Sequence, residues 1–484
     1  MTPLLNAWKV AALLAGVAAF NLREELAALD QSVLVKILLV LGLLVVGALF
    51  GLGYGALAWR RMQYGIGPDS IFLHSGVLWR QQRHLRLDRI QAIDVTQPLL
   101  ARLFGFASLK IESAGGGESN LTLSYLTDRE AQRLRNEILA RAAGVEFDDE
   151  PAGSGTPFVP AAPEVALLNL SPGRLVGSLL LTEALIFGLL VVVGVSVAGV
   201  VLDLPVAMGV IVPWLFLVGG LIWGRFTGEF AFRIGTSADG VRLRHGLLEA
   251  KTRTVPPGRV QAVSISQAPL WRGRDWWRIK VNIAGYGVGG EDGVEPATAV
   301  LYPVATSREV AQVLPLVLPD LGTERPLEVL IAGMTGRGQG EGFVTSPRRM
   351  RRFDPITWEF TGLRVTDTAV MFRVGRWWRS LTLVPHERTQ SMALKQGPLE
   401  RRFDVASVEL HSTPGPVTPV LDHVDVGVAR SFLVEQADRA RQARKRAAPA
   451  RWMQHRKDAR VNVPEPELLR AHYGGVLPSR RAAS

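Results

Sequence analysis

Five residues recur at identical offsets in three places: Gly76, Arg89, Gln91, Gln97 and Arg102; then Gly246, Arg259, Gln261, Gln267 and Arg272; then Gly375, Arg388, Gln390, Gln396 and Arg401. An arginine and a glutamine two positions apart on a strand point to one face. Such a face could hold a lipid headgroup, a peptide or a neighbouring module. The same side chains can instead hydrogen-bond turn carbonyls inside each module. Residues reused in every copy most simply serve the fold the copies share, so the motif is read as framework.

Chemistry is sought next where the copies differ. Trp271, Arg272, Arg274, Trp276, Trp277 and Arg278 form one aromatic and basic cluster, and Arg376, Trp377, Trp378 and Arg379 form another. Indole rings favour the membrane–water boundary and guanidinium groups favour lipid phosphate, so both clusters are candidate membrane or partner contacts. Module-to-module packing would use the same residues. Glu183 stands alone among the acidic residues inside a long apolar run. An intramembrane carboxylate suggests an ion or proton site, which keeps a transporter or channel component as the alternative function. On this reading Glu183 lies about two turns from the membrane face, within reach of Arg174.

Enzymatic signatures are absent. The chain has no cysteine, and its eight histidines form neither His-x-x-x-His nor His-Glu-x-x-His. His411 and His423 flank a proline-rich loop where they could meet. Neither a Gly-x-Ser-x-Gly elbow nor a Gly-x-x-x-x-Gly-Lys loop occurs. The glycine-rich run 285–290 leads into Glu291 and Asp292, which would repel phosphate, so it reads as a hairpin turn. A non-enzymatic protein without cofactor or metal is expected.

Membrane helices must position these residues. A spanning helix needs about 20 apolar residues. Residues 33–59, 175–202 and 205–223 qualify; residues 4–20 form a shorter run that suits an interfacial helix, a signal-peptide core or, as favoured here, the first arm of a hairpin. A hydrophobic share of 48% and a mean hydropathy of +0.17 agree with a membrane protein carrying soluble lobes. Arg60, Arg61, Arg174 and Arg225 flank these runs, whereas the turn at Asp203 carries no positive charge. Positive flanks stay on the cytoplasmic side, so the repeat-bearing lobes are expected there. The net charge of +11 suits anionic headgroups, and a membrane-held chain has more use for these than for nucleic acid.

Within each repeat, apolar and polar residues alternate, as in Ile90-Gln91-Ala92-Ile93-Asp94-Val95 and Val260-Gln261-Ala262-Val263-Ser264-Ile265. That period predicts half-buried antiparallel strands. Thr127 to Glu130 and Thr306 to Glu309 predict capping boxes that start a closing helix. Small β modules closed by a helix, joined to membrane hairpins and carrying His74-Ser75-Gly76-Val77-Leu78 with Leu87-Asp88-Arg89-Ile90-Gln91, resemble the bacterial pleckstrin-homology (PH) family, most closely its multi-module YdbT-like membrane proteins. The second copy carries the likeness in Arg244-His245-Gly246-Leu247-Leu248 and Pro257-Gly258-Arg259-Val260-Gln261, while the third departs from it at Arg376-Trp377-Trp378.

The expected fold is therefore an α+β membrane protein with four transmembrane helices in two hairpins and three cytoplasmic PH-like modules. Its parts are a hairpin (1–61), module 1 (62–145), a linker (146–171), a second hairpin (172–225), module 2 (226–320), a flexible connector (321–360), module 3 (361–440) and a poorly ordered basic tail (441–484). The resemblance implies a binding or scaffold protein of the bacterial cytoplasmic membrane. Its modules would bind lipid headgroups, partner proteins or each other. The resemblance further implies a role in envelope stress or antimicrobial-peptide resistance beside a smaller PH-module protein.

Overall fold

The computed structural model describes residues 63–67, 70–75, 81–87, 90–113, 121–142, 165–201, 207–237, 240–255, 258–284, 300–413 and 415–446, with isolated positions between 42 and 61. The first hairpin, the glycine-rich run 285–290 and the tail beyond 446 lie outside this set. The chain divides into two compact units, Met1–Pro160 and Ala161–Ser484.

The first unit holds module 1. Strands β1 (Gln63–Ile66), β2 (Ser70–Ser75) and β3 (Gln81–Arg86) form one antiparallel sheet. Then β4 (Ile90–Pro98), β5 (Phe106–Ser113) and β6 (Leu121–Thr127) pair antiparallel, with the short helix α1 (Leu99–Leu103) between β4 and β5. Helix α2 (Asp128–Ala142) closes the module and buries Ala131, Leu134 and Ile138. Thr127 Oγ1 accepts from the Glu130 amide at 3.3 Å, which is the threonine half of the expected capping box.

The second unit begins earlier than the hydropathy suggests. Strand β7 (Val165–Asn169) lies in the expected linker and pairs with β8 (Arg233–Ser237), so module 2 starts before the apolar helices that follow it. Between them run α3 (Pro172–Leu180), α4 (Glu183–Val201) and α5 (Ala207–Glu229). The expected span 175–202 is thus two helices. The carbonyl of Ser178 accepts the Trp271 indole N–H at 3.2 Å and the Thr182 hydroxyl at 3.1 Å. Side chains that occupy a helix carbonyl divert the ladder and bend the helix. Here Pro172–Leu180 and Leu185–Gly199 meet at 44°. Among the described residues no single helix is long and apolar enough to cross a membrane, while this bent pair passes by length and composition.

Module 2 continues with β9 (Gly240–His245), β10 (Glu249–Val255), β11 (Val260–Gln267), the 3-10 turn Pro269–Arg274, β12 (Trp277–Ile283), β13 (Val300–Ala305) and α6 (Ser307–Val317). Thr306 and Glu309 make both halves of the predicted capping box on α6.

The expected connector is ordered. It contains α7 (Pro326–Thr335), the two-residue strand β14 (Val344–Thr345) and the 3-10 turn Arg348–Arg352. The cause is burial: Val329, Leu330 and Met334 enter the core of module 2, and Arg373 donates to Ala332 O at 3.0 Å and Gly338 O at 2.7 Å. Module 3 follows as β15 (Gly362–Val365), β16 (Ala369–Val374), β17 (Arg379–Pro385), β18 (Ser391–Lys395), α8 (Pro398–Arg402), β19 (Val405–His411), β20 (Val420–Asp425) and α9 (Val426–Arg446). Residues 441–446, expected in the poorly ordered tail, are the last turns of α9, where Arg444 donates to Thr389 O at 2.7 Å.

Modules 2 and 3 are not separate barrels. Strand β11 pairs antiparallel with β17, Val263 opposite Leu383 and Gln267 opposite Arg379. One seven-stranded sheet results, in the order β13-β12-β11-β17-β16-β15-β14. A single apolar core runs from Trp277 and Tyr302 to Met371 and Leu381. Asn282, 1% exposed, adds a second tie by exchanging hydrogen bonds with Val417 N at 2.9 Å and Val417 O at 2.7 Å.

Candidate membrane interface

The repeated residues divide by role. Gly246 and Gly375 have φ of +110° and +90°, and a Cβ on either would lie 1.9 Å from a carbonyl oxygen three residues on. Only glycine adopts that turn without strain. Gln267 donates to Trp276 O at 3.2 Å and Gln396 donates to Val405 O at 3.0 Å, the same bond at the same offset in two modules. Gln97 bonds Asp128 instead.

The framework reading does not extend to every repeated position. Gln261 is buried on Arg259 O, yet Gln390 is exposed. Arg102 and Arg401 are also exposed. Arg259 and Arg388 lie near one another, and burial together with the Arg388 charge holds the Arg259 guanidinium below its usual range. Gly76 and Arg89 lie outside the described residues, as does the side chain of Gln91.

The first Trp/Arg cluster is mostly interior, which corrects the expectation of a membrane-facing edge. Trp271, Trp276 and Trp277 are 5%, 7% and 1% exposed. Amphipathic α3 covers them. It buries Leu175 and Leu179, its Ser178 carbonyl takes the Trp271 indole, and a Cβ on Gly177 would meet Trp276 at 3.0 Å. Arg278 is buried against Glu229, the last residue of α5, in a bidentate pair at 2.5 and 3.2 Å. His245 bonds Gly228 O at 2.7 Å, and Leu247 N donates to Thr227 O at 2.7 Å. Arg174 pairs with Glu309 at 2.7 Å. Both ends of the α3–α5 excursion are therefore fastened to module 2 by charge pairs and backbone bonds.

The second cluster is exterior. Trp377 and Trp378 are 47% and 61% exposed. The Trp377 ring lies within reach of two guanidinium groups, Arg272 at 5.9 Å and Arg376 at 5.4 Å. Arg274 lies over Trp276 at 5.2 Å and is exposed. Arg379 reaches Gln267 at 3.5 Å, and its guanidinium is pushed down by burial and by Arg272.

The Trp378 indole donates to Glu183 Oε1 at 2.6 Å. Glu183 is thus the first residue of α4, at its N-terminus, rather than two turns inside a span, and Arg174 is engaged elsewhere. A carboxylate in the first helical turn also meets the unpaired amides and the positive end of the helix dipole. Beyond it, Phe187, Leu189, Leu190, Val193, Val197 and Val201 of α4 and Leu215, Phe216, Leu217 and Trp223 of α5 are exposed. Soluble monomers seldom expose apolar patches beyond about 300–600 Å².

No local pattern joins Glu183 to Trp378, marks Glu229 or Arg349, or shows that the capping residue Glu309 also holds Arg174. Arg349 donates to Phe403 O, Asp404 O and Asp425 Oδ2 at 2.5, 2.6 and 2.7 Å. A second repeat could have revealed Arg349: Ser171-Pro172-Gly173-Arg174-Leu175 recurs as Ser346-Pro347-Arg348-Arg349-Met350. His411 and His423 are not joined, since each faces a different carboxylate, Glu409 at 3.6 Å and Asp354 at 3.9 Å. Among the described residues no three His, Asp or Glu side chains are grouped to hold a metal ion.

The family model described as "Bacterial PH domain" matches residues 12–142, 184–315 and 329–441, once for each module. The chain is similar to the UPF0699 transmembrane protein YdbT of Bacillus subtilis (strain 168), 22% identical over 295 residues that cover 55% of this chain. The match spans 58% of that protein's length. Three matches along one chain, each ending on a closing helix, establish that the protein belongs to the bacterial PH domain family as a YdbT-like member with three modules.

Proposed function

We propose that the protein is a non-enzymatic scaffold of the bacterial cytoplasmic membrane, crossing it with four helices in two hairpins and holding its three modules on the cytoplasmic side. The observation that carries this reading is the Trp378–Glu183 bond at the start of α4, beside Trp377 and its two arginines and below two helices with exposed apolar side chains. Indole and guanidinium groups at one depth suit the headgroup layer. The transmembrane name of the Bacillus relative supports a place in the membrane. The exposed edge at Arg272, Arg274, Arg376, Trp377 and Trp378 would bind anionic lipid headgroups, a smaller PH-module membrane protein or a second copy of the chain. A role in envelope stress or resistance to membrane-active peptides comes from the family resemblance.

A transporter would need Glu183 free in the apolar interior, and its bond to Trp378 in the first turn favours the scaffold. The test is purification of the full-length protein from native membranes, followed by identification of bound lipid and protein. The Trp377→Ala/Trp378→Ala variant should lose anionic lipid or partner relative to the wild type. Full retention of both, together with loss of a measurable ion or solute flux in Glu183→Ala, would replace the scaffold with the transporter.

A further inference from the structure

Module 3 keeps the first residues of the excursion that module 2 sends out as a hairpin, and none of the hairpin. In both modules a short strand leads in, β7 onto β8 and β14 onto β15. Ser-Pro-x-Arg and a buried apolar residue follow, Leu175 at 0% and Met350 at 4% exposure. The arginine does equivalent work in each: Arg174 pairs with Glu309 in the first turn of α6, and Arg349 with Asp425, which caps α9. From this point module 2 runs out through α3, α4 and α5 before β8, whereas module 3 returns to β15 within residues 347–361.

The short return loop is basic and apolar on its outside. Arg348, Arg351 and Arg352 are exposed and have no ion pair among the described residues. Phe353 and Ile356 are 54% and 47% exposed, and Leu399 of the neighbouring α8 is 64% exposed. Phe353 is supported from behind by Phe403, ring centroids 4.2 Å apart. Three of the carboxylates around the loop are engaged, Asp404 and Asp425 by Arg349 and Asp354 by Thr357.

We propose that this loop is a finger that rests on the anionic bilayer surface and gives module 3 a peripheral attachment where module 2 has its membrane helices. Arg348, Arg351 and Arg352 meet lipid phosphates, while Phe353, Ile356 and Leu399 enter the interfacial layer. An acidic protein could match the charge. The bilayer is the occupant argued for because the same Ser-Pro-x-Arg position in module 2 is where the chain leaves for the membrane. The proposal rests on the membrane reading above.

The chain has no native cysteine, so single cysteines report cleanly. An environment-sensitive fluorophore is attached at Ile356→Cys, at Val193→Cys in α4 and at Glu324→Cys on the module surface, each in the full-length protein. The proteins are reconstituted in phosphatidylcholine vesicles with and without phosphatidylglycerol and quenched with lipids labelled at headgroup or acyl depth. The finger predicts shallow quenching at 356 that needs the anionic lipid, deep quenching at 193 and none at 324. Each of Arg348→Gln, Arg351→Gln and Arg352→Gln should lower the insertion equilibrium about fivefold.

Quenching at 193 without quenching at 356 overturns the finger and leaves the membrane reading standing. Absence of quenching at 193 takes both down. Quenching at 356 that ignores lipid charge and the arginines also contradicts the proposal. So does shielding of 356 only after a soluble protein fraction is added, which would assign the loop to a protein partner.

Discussion

At the scale of single residues, what the sequence makes legible is what every copy repeats. Gly246 and Gly375 mark a turn closed to any Cβ, and Gln267 and Gln396 repeat one side-chain-to-backbone bond. The fate of the tryptophans is not legible in the same way, because Trp271 and Trp276 are buried by a helix about a hundred residues earlier whose packing no local pattern reveals. The Glu229–Arg278 pair is equally non-local. Both carboxylate oxygens are held by one guanidinium inside the core, so removing the carboxylate strands a buried positive charge. Glu229→Ala should destabilise the second unit by about 3–5 kcal/mol, and a Glu229→Leu/Arg278→Met double variant should recover most of the loss. Urea unfolding of the detergent-solubilised chain measures both. A single variant as stable as the wild type would show that the pair does not fasten α5.

At the scale of elements, period-two alternation and the capping boxes foretell most strands and the start of α6. They do not foretell that the apolar run 175–202 breaks at Thr182, since Ser178, Thr182 and Glu183 read as isolated polar residues within a span and the break is made by an indole and a hydroxyl bonding one carbonyl. The closing helix of module 3 carries its own condition. His386, 1% exposed beneath α9, bonds Thr366 O at 2.8 Å. Burial foremost holds its pKa below the ordinary histidine value, against an upward pull from the Thr366 carbonyl, with a lesser downward push from Arg439 on α9 and lesser upward pulls from Glu387 and Gln436. A histidine with a depressed folded pKa binds fewer protons folded than unfolded. Its stability contribution is present above an unfolded pKa of about 6.5 and is lost as pH falls through that value toward the folded pKa. Hydrogen exchange in α9 should therefore quicken between pH 7.5 and 5.5, after correction for intrinsic rates, and the change should shrink in His386→Gln. An equal pH response in the variant would assign the effect to another group.

At the scale of the whole molecule, the repeat count was readable from spacing, and the family from the resemblance that the repeated segments, strand alternation and apolar hairpins together carry. That β11 pairs with β17 was not, because alternation identifies a strand without naming its neighbour. The pairing joins β11–β13 of module 2 and β14–β17 of module 3 in one sheet over a shared core, while β18–β20 and α9 enclose a second core of module 3. The fastened ends of α3 and α5 and the Trp378–Glu183 bond then fix that sheet to the hairpin. The account stands or falls on that hairpin crossing a bilayer with the modules inside. The direct measurement is labelling of intact cells with a membrane-impermeant thiol reagent, using the full-length chain with Asp203→Cys between the two apolar runs or Glu324→Cys on the module surface. Asp203→Cys should be labelled in intact cells, and Glu324→Cys only after the membrane is opened. Labelling of Glu324→Cys from outside, or of Asp203→Cys only after opening, would contradict it.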